Sequence, residues 1–219
     1  DLDASTMGTY AVKYVTSSST CADSTTFSIT INPSNTVSSN GAYDISTATY
    51  VQNFSVASQD NIPTDIAFNN DGTKMYVVGR TDKKINEYSL STAFDVSTSS
   101  YVQNFSVSGQ ETNPSGMSFN NDGTKMYVIG YTGDDVNEYS LSTAFDVSTA
   151  SYVQNFSVAA QETSPMGIIF NNDGSKMYVT GWDGDGVNEY SLTTVFDLST
   201  ASYVQNFSVA AQETDPMGM

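Results

Sequence analysis

The groups most able to carry acid–base chemistry in this sequence are carboxylates, because it contains no histidine. That removes histidine-assisted Ser and Cys nucleophiles, histidine general bases and histidine metal ligands. Glu87, Glu138 and Glu189 recur 51 residues apart. A catalytic acid is unique in most chains, so these copies are read as polar strand positions, and no catalytic residue is assigned. Asp134-Asp135 and Asp183-Gly184-Asp185 offer the oxygen ligands that calcium takes. Their spacing departs from an EF-hand loop, with Val187 at the third ligand position and no closing Glu. They are read as tight turns, so no metal or other cofactor is expected and calcium is the alternative. Arg80, Tyr131 and Trp182 occupy equivalent places in otherwise repeated stretches. An aromatic ring there could stack on a sugar or anchor a protein contact, so these three are the candidate ligand-binding residues.

The chain around these residues is acidic, with seven Lys and Arg against 24 Asp and Glu, a net charge of −17. Nucleic acid needs clustered cations to release counterions, so it is excluded as a partner, and an anionic membrane surface is excluded likewise. No apolar run approaches the roughly 20 residues of a spanning helix, so no membrane insertion is expected in this segment. Cys21 is the sole cysteine, and no internal disulfide can form. The remaining partners are a protein or glycan surface, met outside the cell or on its surface.

What must position the candidates is a repeat. Tyr-Val-Gln-Asn-Phe-Ser-Val begins at Tyr50, Tyr101, Tyr152 and Tyr203, and Phe-Asn-Asn-Asp-Gly begins at Phe68, Phe119 and Phe170. Each 51-residue unit reads as four short strands between turn signals. In the first unit, strand A covers about residues 64–69 and strand B about 74–79, with Gly72 supplying the turn between them. Strand C covers about 84–91. Strand D, about 101–107, alternates, with Tyr101, Gln103, Phe105 and Val107 on one face. Strand B is apolar on both faces and needs cover on both sides. Neighbouring units supply it, which makes the fold all-β, a β-propeller segment of four-stranded antiparallel blades.

The phase of the repeat divides the chain further. Blades fall at about 64–107, 115–158 and 166–209, and residues 216–219 match the start of another strand A. Residues 50–56 match a strand D with no unit before it and are expected to be a closing strand. Three blades are fewer than the roughly four to eight of a closed ring, so the segment is expected to belong to a longer protein. Differences between the copies gather in the B–C and D–A loops, which leave an up-and-down blade on the same face. Arg80, Tyr131 and Trp182 lie in those B–C loops, on a face that varies while the opposite one does not.

The segment Phe68-Asn69-Asn70-Asp71-Gly72-Thr73-Lys74-Met75-Tyr76-Val77 resembles the F-x-x-D-G-x-x-(aliphatic)-Y-V signature of YVTN-type surface-layer propellers. The resemblance recurs at Phe119 and Phe170 and spans residues 42–219, although the unit here is longer through residues 91–100. It implies the propeller fold and leaves the function open, because related blades serve lactonases, surface proteins and scaffolds alike. Before the repeats, residues 8–14 and 27–31 alternate as two strands. They resemble the last strands of a bacterial immunoglobulin-like surface domain, with Gly8 and Tyr10 like its tyrosine-corner region. Residues 1–32 are assigned to that domain, 33–41 to a linker and 42–219 to the partial propeller. The function expected from all of this is non-enzymatic, a surface or secreted binding module for adhesion or ligand capture. Two alternatives stand beside it: a fragment of a lactonase- or hydrolase-type propeller with its active site in other blades, and a structural spacer or virion appendage component.

Overall fold

The computed structural model describes residues 8–15, 24–31, 45–213, 216 and 218. The chain divides into two units, residues 1–51 and 52–219. In the first, β1 (Gly8–Val15) and β2 (Ser24–Ile31) pair antiparallel, from Gly8 opposite Ile31 to Val15 opposite Ser24. Cys21 and the expected linker 33–41 lie outside the described residues. So does most of the expected strand at 216–219, of which only Pro216 and Gly218 are described.

The second unit holds three four-stranded antiparallel sheets in which each strand pairs with its neighbours in sequence. Blade 1 comprises β3 (Pro63–Phe68), β4 (Lys74–Gly79), β5 (Lys84–Leu90) and β6 (Ser99–Ser106). Blade 2 comprises β7 (Pro114–Phe119), β8 (Lys125–Gly130), β9 (Asp135–Leu141) and β10 (Ala150–Ser157). Blade 3 comprises β11 (Pro165–Phe170), β12 (Lys176–Gly181), β13 (Gly186–Leu192) and β14 (Ala201–Ser208). The blades form an open arc, and the first strands β3, β7 and β11 lie innermost, bonded to one another. Thr64 Oγ1 donates to the carbonyl of Pro114 at 3.2 Å, and Ser115 Oγ to that of Pro165 at 2.9 Å.

The core lies between the blades rather than within any one of them. Tyr127, Ile129, Val136 and Val158 of blade 2 pack on Ile168, Met177, Val179, Tyr190 and Leu192 of blade 3. Tyr76, Val78, Ile85 and Val107 of blade 1 pack in the same way on Met117, Met126, Val128 and Tyr139. This is why strand B is apolar on both faces: each face is one half of a different core. Polar groups join the same seams. Glu138 pairs with Lys125 at 2.7 Å and accepts from the Gln154 amide at 2.8 Å and from the Leu198 N–H of blade 3 at 3.3 Å.

One expectation needs correction. A β-bulge at Val102 shifts the register, pairing Tyr101 with Tyr88 but Gln103 with Glu87. Tyr101 therefore leaves the face of Gln103 and Phe105, and its ring meets Tyr88 edge-on at 5.8 Å. Residues 50–56, expected as the closing strand of a last blade, pair with none of the described strands. Phe54 and Val56 instead pack on Met75, Val77, Tyr88 and Leu90 of blade 1.

Candidate functional site

The B–C and D–A loops meet on one face of each blade, bonded side chain to side chain. Thr81 Oγ1 donates to Asn61 at 2.6 Å, Asn113 Nδ2 to Thr132 at 2.6 Å, and Ser164 Oγ to Asp183 at 2.7 Å. The A–B and C–D loops meet on the opposite face, where the Phe94, Phe145 and Phe196 N–H groups donate to the carbonyls of Gly72, Gly123 and Gly174.

The feature that organises the first face is a buried carboxylate at the start of each blade, at Asp60, Glu111 and Glu162. Asp60 accepts from the backbone N–H groups of Ile62 at 2.7 Å and Asp82 at 2.8 Å. Glu111 accepts from Asn113 at 2.6 Å and Gly133 at 3.2 Å. Glu162 accepts from Ser164 at 2.9 Å, Asp183 at 3.1 Å and Gly184 at 2.9 Å. One buried carboxylate thus ties the D–A loop to the B–C loop through charge-assisted bonds from backbone amides of both. Space for it comes from Gly130, where a Cβ would overlap the Glu111 side chain; Gly79 and Gly181 make the same room for Asp60 and Glu162. These anchors were not singled out from the sequence, although their 51-residue spacing ahead of Pro63, Pro114 and Pro165 was a readable signal.

From these tethered loops the three candidate side chains project. The Arg80 guanidinium lies over the Tyr131 ring, 4.5 Å from its centroid, joining blades 1 and 2 by a cation–π contact. Trp182 is 51% exposed, and its backbone N–H is fixed by the Ser164 carbonyl at 3.0 Å. The structure thus brings Arg80 and Tyr131 into contact, with Trp182 at the corresponding place on blade 3.

The acidic candidates serve the loops in different ways. Asp135 is buried and accepts amides from Asn137 at 2.7 Å and from Asn155, while burial pushes its carboxyl up. Asp134 has a positive φ of 48° and one oxygen that is buried without a hydrogen bond. Its carboxyl is pushed up by burial first, then by the nearby charges of Glu111 and Asp135. Asp183 accepts from Ser164 and Thr163, which hold it below the usual carboxylate range. Asp185 takes a left-handed turn conformation, φ 45°. Among the described residues, no group of three or more Asp, Glu or Cys side chains is placed to hold a metal ion.

A second polar feature lies on the innermost strands. Asp65 stands where blades 2 and 3 have Gly116 and Gly167. Its carboxylate accepts from the Met117 N–H at 2.7 Å and the Ile66 N–H at 2.8 Å. Burial pushes its carboxyl up, against the pull of those two bonds. It lines a cavity of about 250 Å³ together with Asn70, Ser118, Asn120 and Asn121.

No family model matches the sequence, and no curated protein matches it. Neither the YVTN-type nor the immunoglobulin-like resemblance therefore has a family match behind it. Solved structures do match. A 6-phosphogluconolactonase candidate from Bacteroides fragilis superposes with a TM-score of 0.51 at 14% identity, over 67% of this chain and 39% of its own. Hydrazine synthase from Kuenenia stuttgartiensis gives 0.50 at 16%, over 78% and 42%. The WD40 repeats of RRP9 give 0.47 at 11%, over 67% and 38%. The chain thus spans about two fifths of the length of these structures, and at such identities the likeness is one of fold. It does correct the expectation of a non-enzyme. The blade architecture is shared with a protein named for lactonase chemistry, so this architecture does not set the chain apart from enzymes. What the comparisons show of this chain is a β-propeller architecture.

Proposed function

We propose that the propeller segment is a ligand-capture module of a secreted or surface-displayed protein, and that it engages a protein or glycan surface through the B–C and D–A loops. The observation that carries this reading is the division of labour within each loop pair. The anchoring carboxylate is retained in all three blades, whereas the projecting side chain changes from Arg80 to Tyr131 to Trp182. A rigid base with interchangeable tips is how loops on a scaffold present binding residues. The net charge of −17 favours neutral or basic ligands.

Trp182 is the only tryptophan, so its emission reports on this face alone. Titration with a panel of neutral oligosaccharides and basic peptides is expected to shift that emission for at least one member. The double variant Tyr131→Ala, Trp182→Ala is expected to bind the same member, immobilised, at least tenfold more weakly. A panel without any response, or a double variant that binds unchanged, defeats the reading.

A second reading, a lactonase- or hydrolase-type propeller, is favoured by Asp65. It is a one-off carboxylate in a cavity on the innermost strands, and burial pushes its carboxyl up. Hydrolysis of a sugar lactone by the chain, lost in Asp65→Asn, would establish it. Equal hydrolysis by wild type and variant would dismiss a role for Asp65.

A further inference from the structure

Arg80 is the sole arginine of a chain with 24 Asp and Glu, yet among the described residues no carboxylate pairs with it. Its backbone N–H is fixed by the Ile62 carbonyl at 3.1 Å, and its guanidinium lies over the Tyr131 ring, 4.5 Å from the centroid. Asp60, the buried carboxylate of the adjoining D–A loop, is engaged elsewhere. Its oxygens accept from the N–H groups of Ile62 at 2.7 Å, Asp82 at 2.8 Å and Thr81 at 3.4 Å. A guanidinium held over a ring keeps its N–H donors at its edge, in the fork that matches a carboxylate. The contact with Tyr131 also restricts the side chain in advance, so less freedom is lost when a ligand arrives.

The loop that carries Arg80 differs in charge from its counterparts. Residues 80–84 hold Arg80, Lys83 and Lys84 against Asp82, whereas 131–135 and 182–186 each hold two aspartates and no cation. The other lysines of the blades, Lys74, Lys125 and Lys176, are paired with Glu87, Glu138 and Glu189 at 2.7, 2.7 and 2.6 Å. In the Arg80 loop the ties are looser: Lys84 lies 4.0 Å from Asp82, and Lys83 donates to the Thr81 carbonyl at 3.4 Å. The variable face is thus positive on blade 1 and negative on blades 2 and 3, where Asp183 is exposed. At physiological salt, charges farther than about 8 Å are largely screened, so a docking group responds to the loop beside it more than to the net charge.

We propose, building on the reading of this face as a capture surface, that Arg80 on Tyr131 receives the free C-terminal carboxylate of a basic peptide, whose cationic side chains lie toward the acidic loops of blades 2 and 3. The carboxylate takes two parallel bonds from the guanidinium fork. A polyanionic glycan would set its further charges against Asp134 and Asp183. A peptide brings a single terminal carboxylate and carries its lysines beside it, which matches the charge pattern of the three loops.

A pool of N-acetylated, lysine-rich hexapeptides, prepared as free acids and as C-terminal amides, is passed over the immobilised full chain. The free acids are expected to be retained at least about tenfold more strongly, the worth of one hydrogen bond to a charged group. Arg80→Gln is expected to bring the two forms level. Arg80→Lys, which keeps the charge without the fork, and Tyr131→Leu, which removes the ring, are each expected to keep only part of the preference. All three alter half-exposed side chains and are expected to keep the wild-type melting curve. Equal retention of acids and amides by the wild type, or full preference in any of the three variants, overturns the proposal. If the amides still shift Trp182 emission in that case, the capture reading stands without it. Retention of oligogalacturonate in place of the peptides overturns the peptide in favour of an acidic glycan. Failure to retain either peptide form also overturns the proposal, and Trp182 emission that answers neither peptides nor neutral oligosaccharides removes the capture reading as well.

Discussion

Asp65 illustrates how one side chain can mark out a blade among near-copies. Its counterparts are glycines, and Gly116 lies close to blade 3: a Cβ there would come within 2.6 Å of the Met166 carbonyl. At position 65 a carboxylate instead reaches across to the Met117 N–H. Burial raises its pKa, so the native state holds this proton more tightly than the unfolded chain does. Stability must then fall as pH rises through the raised value, and must be regained below it. Asp65→Asn removes the titration while keeping an oxygen for Met117. Urea midpoints measured between about pH 4 and pH 7 are expected to decline less steeply with pH in the variant than in the wild type. Parallel profiles would show that Asp65 ionises as freely in the native state as in the unfolded one.

At the scale of elements, the two faces of the blade are held by different devices. On the variable face, Glu111 ties β7's entry loop to the turn between β8 and β9. Glu111→Ala removes two amide hydrogen bonds to a buried carboxylate, a kind of bond worth about 1.5–3 kcal/mol. Faster amide exchange at Asn113 and Gly133, with the rest of blade 2 unchanged, is the expected signature. On the uniform face, Gly123 has φ +72°, and Phe145, itself at φ 58°, lays its ring against the glycine Cα. Gly123→Ala combines a left-handed alanine, about 1–2 kcal/mol, with overlap of that ring. A thermal melt should show a loss of at least this size; an unshifted midpoint would mean that the ring moves aside freely.

For the arc as a whole, stability comes from seams shared between neighbours, so the same residue is worth different amounts in different blades. Glu138 is 2% exposed, with Lys125, Gln154 and the Leu198 N–H around it. Glu189 keeps Lys176 and Gln205 but is 13% exposed, on the open side of blade 3. Glu138→Ala is expected to cost about 1.5–3 kcal/mol, the range for a buried hydrogen bond to a charged group. Glu189→Ala is expected to cost clearly less in the same denaturant titration. Equal losses would show that the Lys–Glu pair matters and the seam does not.

The 51-residue period and the alternation of apolar and turn residues were enough to determine the four strands of each blade and which loops share a face. Strand formation and hairpin turns depend on residues close in sequence, so these features are written locally. The structure alone decided which carboxylates are buried. Asp60, Glu111 and Glu162 look like loop acids until the B–C turn folds back and presents its amides to them. It alone decided that Val102 bulges and turns Tyr101 over, and that Arg80 and Tyr131 meet across two blades. Such contacts join groups 13 to 51 residues apart, within a blade or across two, and only the folded arrangement of loops and blades fixes the distances between them.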